Sequence, residues 1–398
     1  MAALAPSPGF PLSSGATVER HQFTTEIHAD SGAVEALWRE LETSGASSPY
    51  QRFEWQRAYA EAMSAKGRFE TRAVVLRDGA GHVSLLLPLA IERRHGLRIA
   101  VPVGGKQANY HLPLFARGAV LPSGAELRAL LRETGRALRL DTYIFGNLPL
   151  SWDGFANPLA EGGRPSPSNG YRLALSGDAE ATLSRALSKD GRKKLRQKDK
   201  KLRELGPVAH RVARTAEEAE AILAAFLDQK RARFRELGLP NPFDDEATQT
   251  FLRRAARAGL AEGRPAIELH ALMLGERIVA SFGAAIDADR CCGMFTAFDA
   301  APEIARCSPG ELLMLEAIRF HCRAGRRVFD LGVGEARYKS SLCNEVEELV
   351  DATVPVTARG ALYAAALAGL LGLKRMVKRT PWLFRAAKRL RSLRAAPA

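Results

Sequence analysis

Apolar positions along the chain change period many times, and each change marks an element. From His21 to His28 they alternate, which predicts a strand, and Ala33–Leu41 repeats at helical spacing. Tyr50, Phe53, Trp55 and Tyr59 crowd one short segment and are expected to pack a core. Arg72–Leu76 and Val83–Glu92 read as strands around the turn Asp78-Gly79-Ala80-Gly81, with Pro88 implying an edge or a bulge, and Leu97–Val101 continues the sheet. Ser123–Leu138 reads as a helix and Thr142–Leu148 as a strand. The Pro-, Gly- and Ser-rich passage Pro158–Gly170 is then a connection between domains.

The second half starts with a strand, Tyr171–Leu175, and a helix, Ala179–Leu187, followed by a basic helix over Lys189–Arg203. A strand at His210–Ala213 and helices at Ala216–Leu237 and Asp244–Arg257 come next. Ile267–Leu274 and Glu276–Ile286 form a hairpin across Gly275, and Arg290–Phe298 adds a third strand. Ser308 and Glu311 have the spacing of a capping box with Pro309 at the first helical position, so a mostly buried helix runs from there to Gly325. Arg326–Leu331 is a strand that stops at Gly332-Val333-Gly334. This gives a βαβ unit whose helix start, with Gly310 allowing close approach, can hold an anion. Both halves run from antiparallel strands to strand-helix-strand, so a pseudo-repeat of mixed α/β domains is expected.

With 398 residues the chain can hold two full cores. The organisation expected is a disordered leader over 1–20, domains over 21–165 and 166–355, and a basic helical tail over 356–398. The leader lacks the basic start and apolar run of a signal peptide. Five cysteines, Cys291, Cys292, Cys307, Cys322 and Cys343, show neither disulfide nor CxxC metal spacing, which fits a reducing compartment and no metal. Cys307 reads as buried and inert or as a reactive thiol. The net charge of +14 favours acidic partners, and ten Lys or Arg fall between Arg359 and Arg394. Ala361–Leu373 is too short to span a bilayer. With Trp382, Leu383 and Phe384 behind it, the tail suits an anionic membrane surface, or packs back on the protein. The loop Gly104–Phe115 carries Asn109, Tyr110 and His111, either as substrate-binding groups or as an ordinary turn. No GxSxG, HExxH, Walker or GxGxxG pattern occurs.

Four stretches resemble the GNAT superfamily of acyltransferases: SKDGRKKLRQKDKKLRELG, GERIVASFGAAID, SPGELLMLEAIRF and FDLGVGEARYKSSL. They look like its CelD-like branch, associated with exopolysaccharide biosynthesis and related to tandem Fem-type aminoacyltransferases. The resemblance implies two GNAT-like domains. An acyl-CoA such as acetyl-CoA would lie along Phe295 and Thr296, its diphosphate at Ser308, Pro309 and Gly310. Tyr338 would protonate the leaving thiolate, Asp330 or Glu335 would take the acceptor's proton, and Lys339 would hold a phosphate or carboxylate. The first domain's His111 is an alternative base. The acceptor would be an amine or hydroxyl of a sugar, lipid or cell-envelope precursor, in the cytoplasm or at the inner membrane face. Two alternatives stay open: aminoacyl transfer from tRNA, whose phosphates the basic helix would hold, and a noncatalytic scaffold for membrane or polyanion.

Overall fold

The computed structural model describes residues 22–29 and 31–380, with the side chains of residues 337, 338, 340 and 379 excepted. The expected leader and Trp382, Leu383 and Phe384 of the tail lie outside the described residues. Two mixed sheets carry the fold. The first, of eight strands, runs in the order Phe23–His28, Glu70–Asp78, Val83–Arg94, Leu97–Pro102, Thr142–Pro149, Leu349–Pro355, Arg164–Pro165, with Leu114–Phe115 also against Val83–Arg94. The second, of seven, runs Val208–Val212, Ile267–Leu274, Arg277–Ile286, Arg290–Phe298, Val328–Val333, Gly170–Ala174, Glu345–Glu347.

The expected pseudo-repeat is present as topology. Each sheet starts as an antiparallel meander and then crosses through one helix to a parallel strand. In the first, helix Gly124–Ala137 joins Leu97–Pro102 to Thr142–Pro149; in the second, helix Pro309–Arg323 joins Arg290–Phe298 to Val328–Val333. Each sheet is then extended by an antiparallel strand. Gly170–Ala174 pairs with Val328–Val333 within the second half, whereas Leu349–Pro355, late in the chain, crosses to pair with Thr142–Pro149 in the first sheet. That late strand ties the lobes together.

Pro88 lies neither at an edge nor in a bulge. Its strand is central: Leu85 and Leu86 pair with Leu114–Phe115 on one side, and pairing with Leu97–Pro102 resumes at Leu89. Pro88 occupies the gap where one partner gives way to the next, so its missing N–H breaks no ladder. The aromatic segment packs as expected, Tyr50, Phe53, Trp55 and Tyr59 all being buried, with Trp55 and Tyr59 stacked at 5.7 Å.

The tail departs from expectation in length. Its helix runs unbroken from Ala358 to Arg379, because Lys374, Arg375 and Lys378 are good helix formers and no Gly or Pro follows Gly372 before Thr380. Among the described residues it alone is long and apolar enough to cross a membrane by length and composition, which overturns the reading of Ala361–Leu373 as too short. It packs on the strands Thr142–Pro149 and Leu349–Pro355.

The lobes also meet through Arg52, whose buried guanidinium donates to the carbonyls of Pro265 and Ile286 at 2.9 Å and of Arg264 at 3.0 Å. Exposed pairs such as Lys66–Glu246 contribute little by comparison. Arg52→Ala strands these carbonyls, and a urea titration of the variant should show a loss of about 2–4 kcal/mol. An unchanged midpoint would mean that the joint is held elsewhere.

Candidate active site

The parallel strands of the second sheet pair at only three positions, Arg290 with Val328, Cys291 with Phe329 and Cys292 with Asp330. Beyond these the strands diverge where Arg290–Phe298 carries an extra residue, Met294, between Gly293 and Phe295, which pair with Ala284 and Gly283. Asn109, from the Gly104–Phe115 loop of the first lobe, enters the opening. Its Nδ2 donates to the Gly293 carbonyl at 2.9 Å and to the Tyr50 hydroxyl at 2.5 Å, and its Oδ1 accepts from the Val333 amide at 3.2 Å. One side chain therefore bridges both diverging strands. Gly332 has φ +75°, and a Cβ there would lie 2.5 Å from Asn109, so glycine is required twice over.

Asp330 sits just behind this bridge, buried, with Oδ2 accepting from the Tyr110 hydroxyl at 2.7 Å and Oδ1 from the Gly332 amide at 2.5 Å. Burial raises its pKa to about 6 despite these bonds. Tyr110 is fully buried and its hydroxyl is committed to Asp330, so it braces the site rather than facing a substrate. Lys339 turns inward as well: its Nζ donates to the carbonyls of Gly332 and Val333, both at 3.1 Å, and is not presented to a phosphate. Glu335 is exposed and accepts from Ser168 at 3.0 Å, with Lys378 of the C-terminal helix 3.5 Å away; its pKa is lowered although partial burial opposes this. Tyr338 begins the second position of a short helix, Arg337–Leu342, but its side chain lies outside the described residues.

The two equivalent helices start differently. In the first lobe Ser123 and Glu126 form a complete capping box, and Glu161 accepts from the Gly124 amide at 2.5 Å. Carboxylates thus already occupy the positive end of that helix. In the second lobe the predicted capping box of Ser308 and Glu311 does not form. Ser308 is held at φ +51° with no side-chain cap bond, and Glu311 turns outward to Lys198 of the basic helix at 2.8 Å. Pro309 is buried, while Ser308 and Gly310 are partly exposed. Phe298, 46% exposed, lies beside Gly310; as an apolar residue ending a strand it gave no functional signal in the sequence. Phe295 packs its ring on Phe226 at 4.3 Å, and the Thr296 hydroxyl donates to Ser281, so both offer a ligand only their backbone.

A cavity of about 1130 Å³ opens on the first-lobe side. Asn109, Val333, Ser168 and Lys378 line one end, and helix Ala358–Arg379 forms a wall. His111 lines it too. Its Nε2 lies 3.2 Å from the Gly105 carbonyl, an acceptor only, so the proton is on Nε2; burial lowers the pKa to about 4, leaving a neutral ring with a bare Nδ1. Among the described residues one group can offer a metal three ligand atoms, Glu268, His270 and His321. Glu268 Oε1 lies 3.1 Å from His270 Nε2, and an Arg326 N–H points at His321 Nδ1 2.9 Å away, which places the imidazole proton on Nε2, 3.6 Å from Glu268 and with no hydrogen-bond partner among the described residues. Cys307 is buried with its Sγ against the Glu303 carbonyl, as expected of an inert thiol.

Because the folded state holds the Asp330 proton up to about pH 6, against 3.8 for the free group, this residue's stabilising contribution is complete below the lower value and lost as pH rises through the upper. The stability difference between Asp330→Asn and the parent protein should therefore shift toward the variant from pH 4 to pH 7, which paired thermal melts check. A pH-independent difference would place the carboxyl at its ordinary pKa.

Residues 189–340 match the family model described as acetyltransferase (GNAT) domain. No curated protein matches the chain. Among solved structures, FemX aligns with a TM-score of 0.57 at 11% identity, covering 85% of this chain and 99% of that one. L-PGS from Bacillus licheniformis aligns with a TM-score of 0.50 at 11% identity, covering 86% and 98%. A conserved protein of unknown function from Bacteroides thetaiotaomicron gives 0.51 at 11% identity, covering 83% and 99%. At these identities the likeness is one of fold. Residues 189–340 are thus an acetyltransferase domain of the GNAT type, in an acyl-transferring enzyme folded as two GNAT-like domains.

Proposed function

We propose that the protein is an N-acyltransferase moving an acyl group from acyl-CoA, acetyl-CoA included, to an amine or hydroxyl of a sugar, lipid or cell-envelope precursor, as in the CelD-like branch. The observation that carries this is the divergence after Cys292 and Asp330 beside a helix start with no side-chain cap. The unpaired edge from Met294 to Phe298 offers peptide groups to a pantetheine arm, as a sheet edge does to an added strand. The Gly310 amide offers a site for the diphosphate, while those of Glu311 and Leu312 donate to the Ser308 carbonyl at 3.0 and 3.2 Å. The first lobe's equivalent helix start, closed by Glu126 and Glu161, leaves that lobe to the acceptor.

An alkyl amine is mostly protonated at neutral pH and must lose a proton before attack. Glu335, held by Ser168 and beside Lys378, which both line the cavity, takes that proton, directly or through water. Asp330 is sealed by Tyr110 and acts as a positioning residue: it fixes the Gly332 turn and, through it, Asn109. Tyr338 supplies a proton to the departing thiolate, whose conjugate acid has a pKa near that of a phenol. Lys339 holds the strand end, in place of the phosphate contact expected of it.

The basic helix offers a second reading, aminoacyl transfer from tRNA, because Lys198 brings it directly to the helix start through Glu311. A tRNA donor would show affinity falling steeply with salt.

Thiol release with a panel of acyl-CoA donors and pooled envelope metabolites tests the reading. Gly310→Glu should raise the KM for acyl-CoA at least tenfold with an intact fold, since it sets a negative charge and bulk at the diphosphate site. Tyr338→Phe should lower kcat about 10- to 100-fold with KM little changed. Full activity in both variants would move the donor elsewhere.

A further inference from the structure

The C-terminal helix has two apolar faces with different surroundings. Ala364, Ala368, Leu371, Arg375 and Lys378, three or four residues apart, line the cavity. On the opposite face Leu362, Leu370, Leu373 and Met376 are 75%, 62%, 52% and 53% exposed. A helix that only closed a soluble protein's cavity would carry polar residues outward. At about 1130 Å³ the cavity is at the upper end of the size of ligand pockets, and its helix wall is built largely of alanine and leucine.

Its polar groups are unevenly matched. Asp351 is committed to the Asn147 amide and Ser166, and Glu161 to Gly124 and Arg128. Two buried nitrogens in the lining, His111 Nδ1 and Arg375 Nε, have no hydrogen-bond partner among the described residues. His111 is 6% exposed, and its bare Nδ1 can only accept. Arg164, Lys374, Arg375 and Lys378 give the same cavity an excess of cations over the two engaged carboxylates. An apolar wall, an unpartnered acceptor and surplus positive charge together describe the complement of a molecule with an aliphatic chain, a hydroxyl or amine, and an anionic head.

We propose that the acceptor is a membrane lipid with a phosphate-bearing head. Its chain lies along the alanine face of helix Ala358–Arg379, a hydroxyl or amine other than the reacting group donates to His111, and it enters from a bilayer on which the helix's outer leucines rest. This rests on the acyl-transfer reading above and names its acceptor class.

Binding of soluble alkyl phosphates of increasing length to the full chain tests it. Affinity should rise about fourfold per added CH2, the value for burying a methylene, until the cavity is filled. Inorganic phosphate, glycerol phosphate and a nucleoside-diphosphate sugar should bind at least tenfold more weakly than the longest chain. Ala368→Trp, at a partly exposed position, should abolish the chain-length dependence, and His111→Phe should lower affinity for hydroxylated chains while leaving plain alkyl phosphates unchanged. Leu370→Glu with Leu373→Glu should release the protein from phosphatidylcholine vesicles doped with phosphatidic acid, yet keep alkyl phosphate binding. Flat affinity along the series, tight binding of the nucleotide sugar, or an undisturbed Ala368→Trp variant would overturn the proposal. Acyl-CoA titration in parallel separates the two readings: lipid binding without acyl-CoA binding sinks the donor site alone, and the reverse sinks the lipid site alone.

Discussion

Two strands that pair for three residues and then part are the constraint from which the active region follows. Parting exposes peptide groups on both strands, and buried peptide groups must find partners. Near the fork these partners come from the other lobe: Asn109 takes one group from each strand, and Tyr110 takes the carboxylate behind them. Farther along, from Met294 onward, the edge has no paired strand beside it. The fork thus divides a sealed half, where the lobes grip one another, from an open half available for chemistry.

The internal repeat gives an unusual control within one molecule. Two helices hold the same place in two similar sheets, but Ser123, Glu126 and Glu161 satisfy the first amides of one, while Ser308 in a left-handed conformation leaves the other without a side-chain cap. A left-handed serine costs of order 1–3 kcal/mol and persists only where its surroundings hold it. Here it follows a short helical turn, Pro302–Ala305, and precedes Pro309, so the chain enters the helix at a forced angle. The same architecture thus presents a carboxylate-capped helix start in one lobe and one without a side-chain cap in the other.

Local periodicity made most of the longer strands and helices legible, because alternation and helical spacing depend only on which side faces the core, while the helix Phe53–Ser64 and the short strands and turns went unread. What it hid were partners distant in sequence. Ser308-Pro309-Gly310-Glu311 has every local mark of a capping box, but Lys198 draws Glu311 away. Lys339, expected to hold a phosphate or carboxylate, is buried against two carbonyls of the strand before it. Leu349–Pro355 is a strand that the sequence reading does not contain, and nothing in its residues says which sheet it joins. In the candidate site, Asp330 and Asn109 were visible as polar residues in suggestive places. The carboxyl's raised pKa and the amide's position across the fork depend on Tyr110, Gly332 and Gly293 meeting in space, which no spacing rule encodes.

The late strand also bears on how the chain is made. The first sheet cannot receive Leu349–Pro355 until nearly nine-tenths of the polypeptide has been synthesised, although its other strands emerge early. During that interval the edge of Thr142–Pro149 and the apolar floor beneath it stand open on the ribosome, a surface prone to wrong pairing. Maturation of the early lobe therefore waits on the late one, and a nascent chain stalled before Pro355 would be a natural client for chaperones.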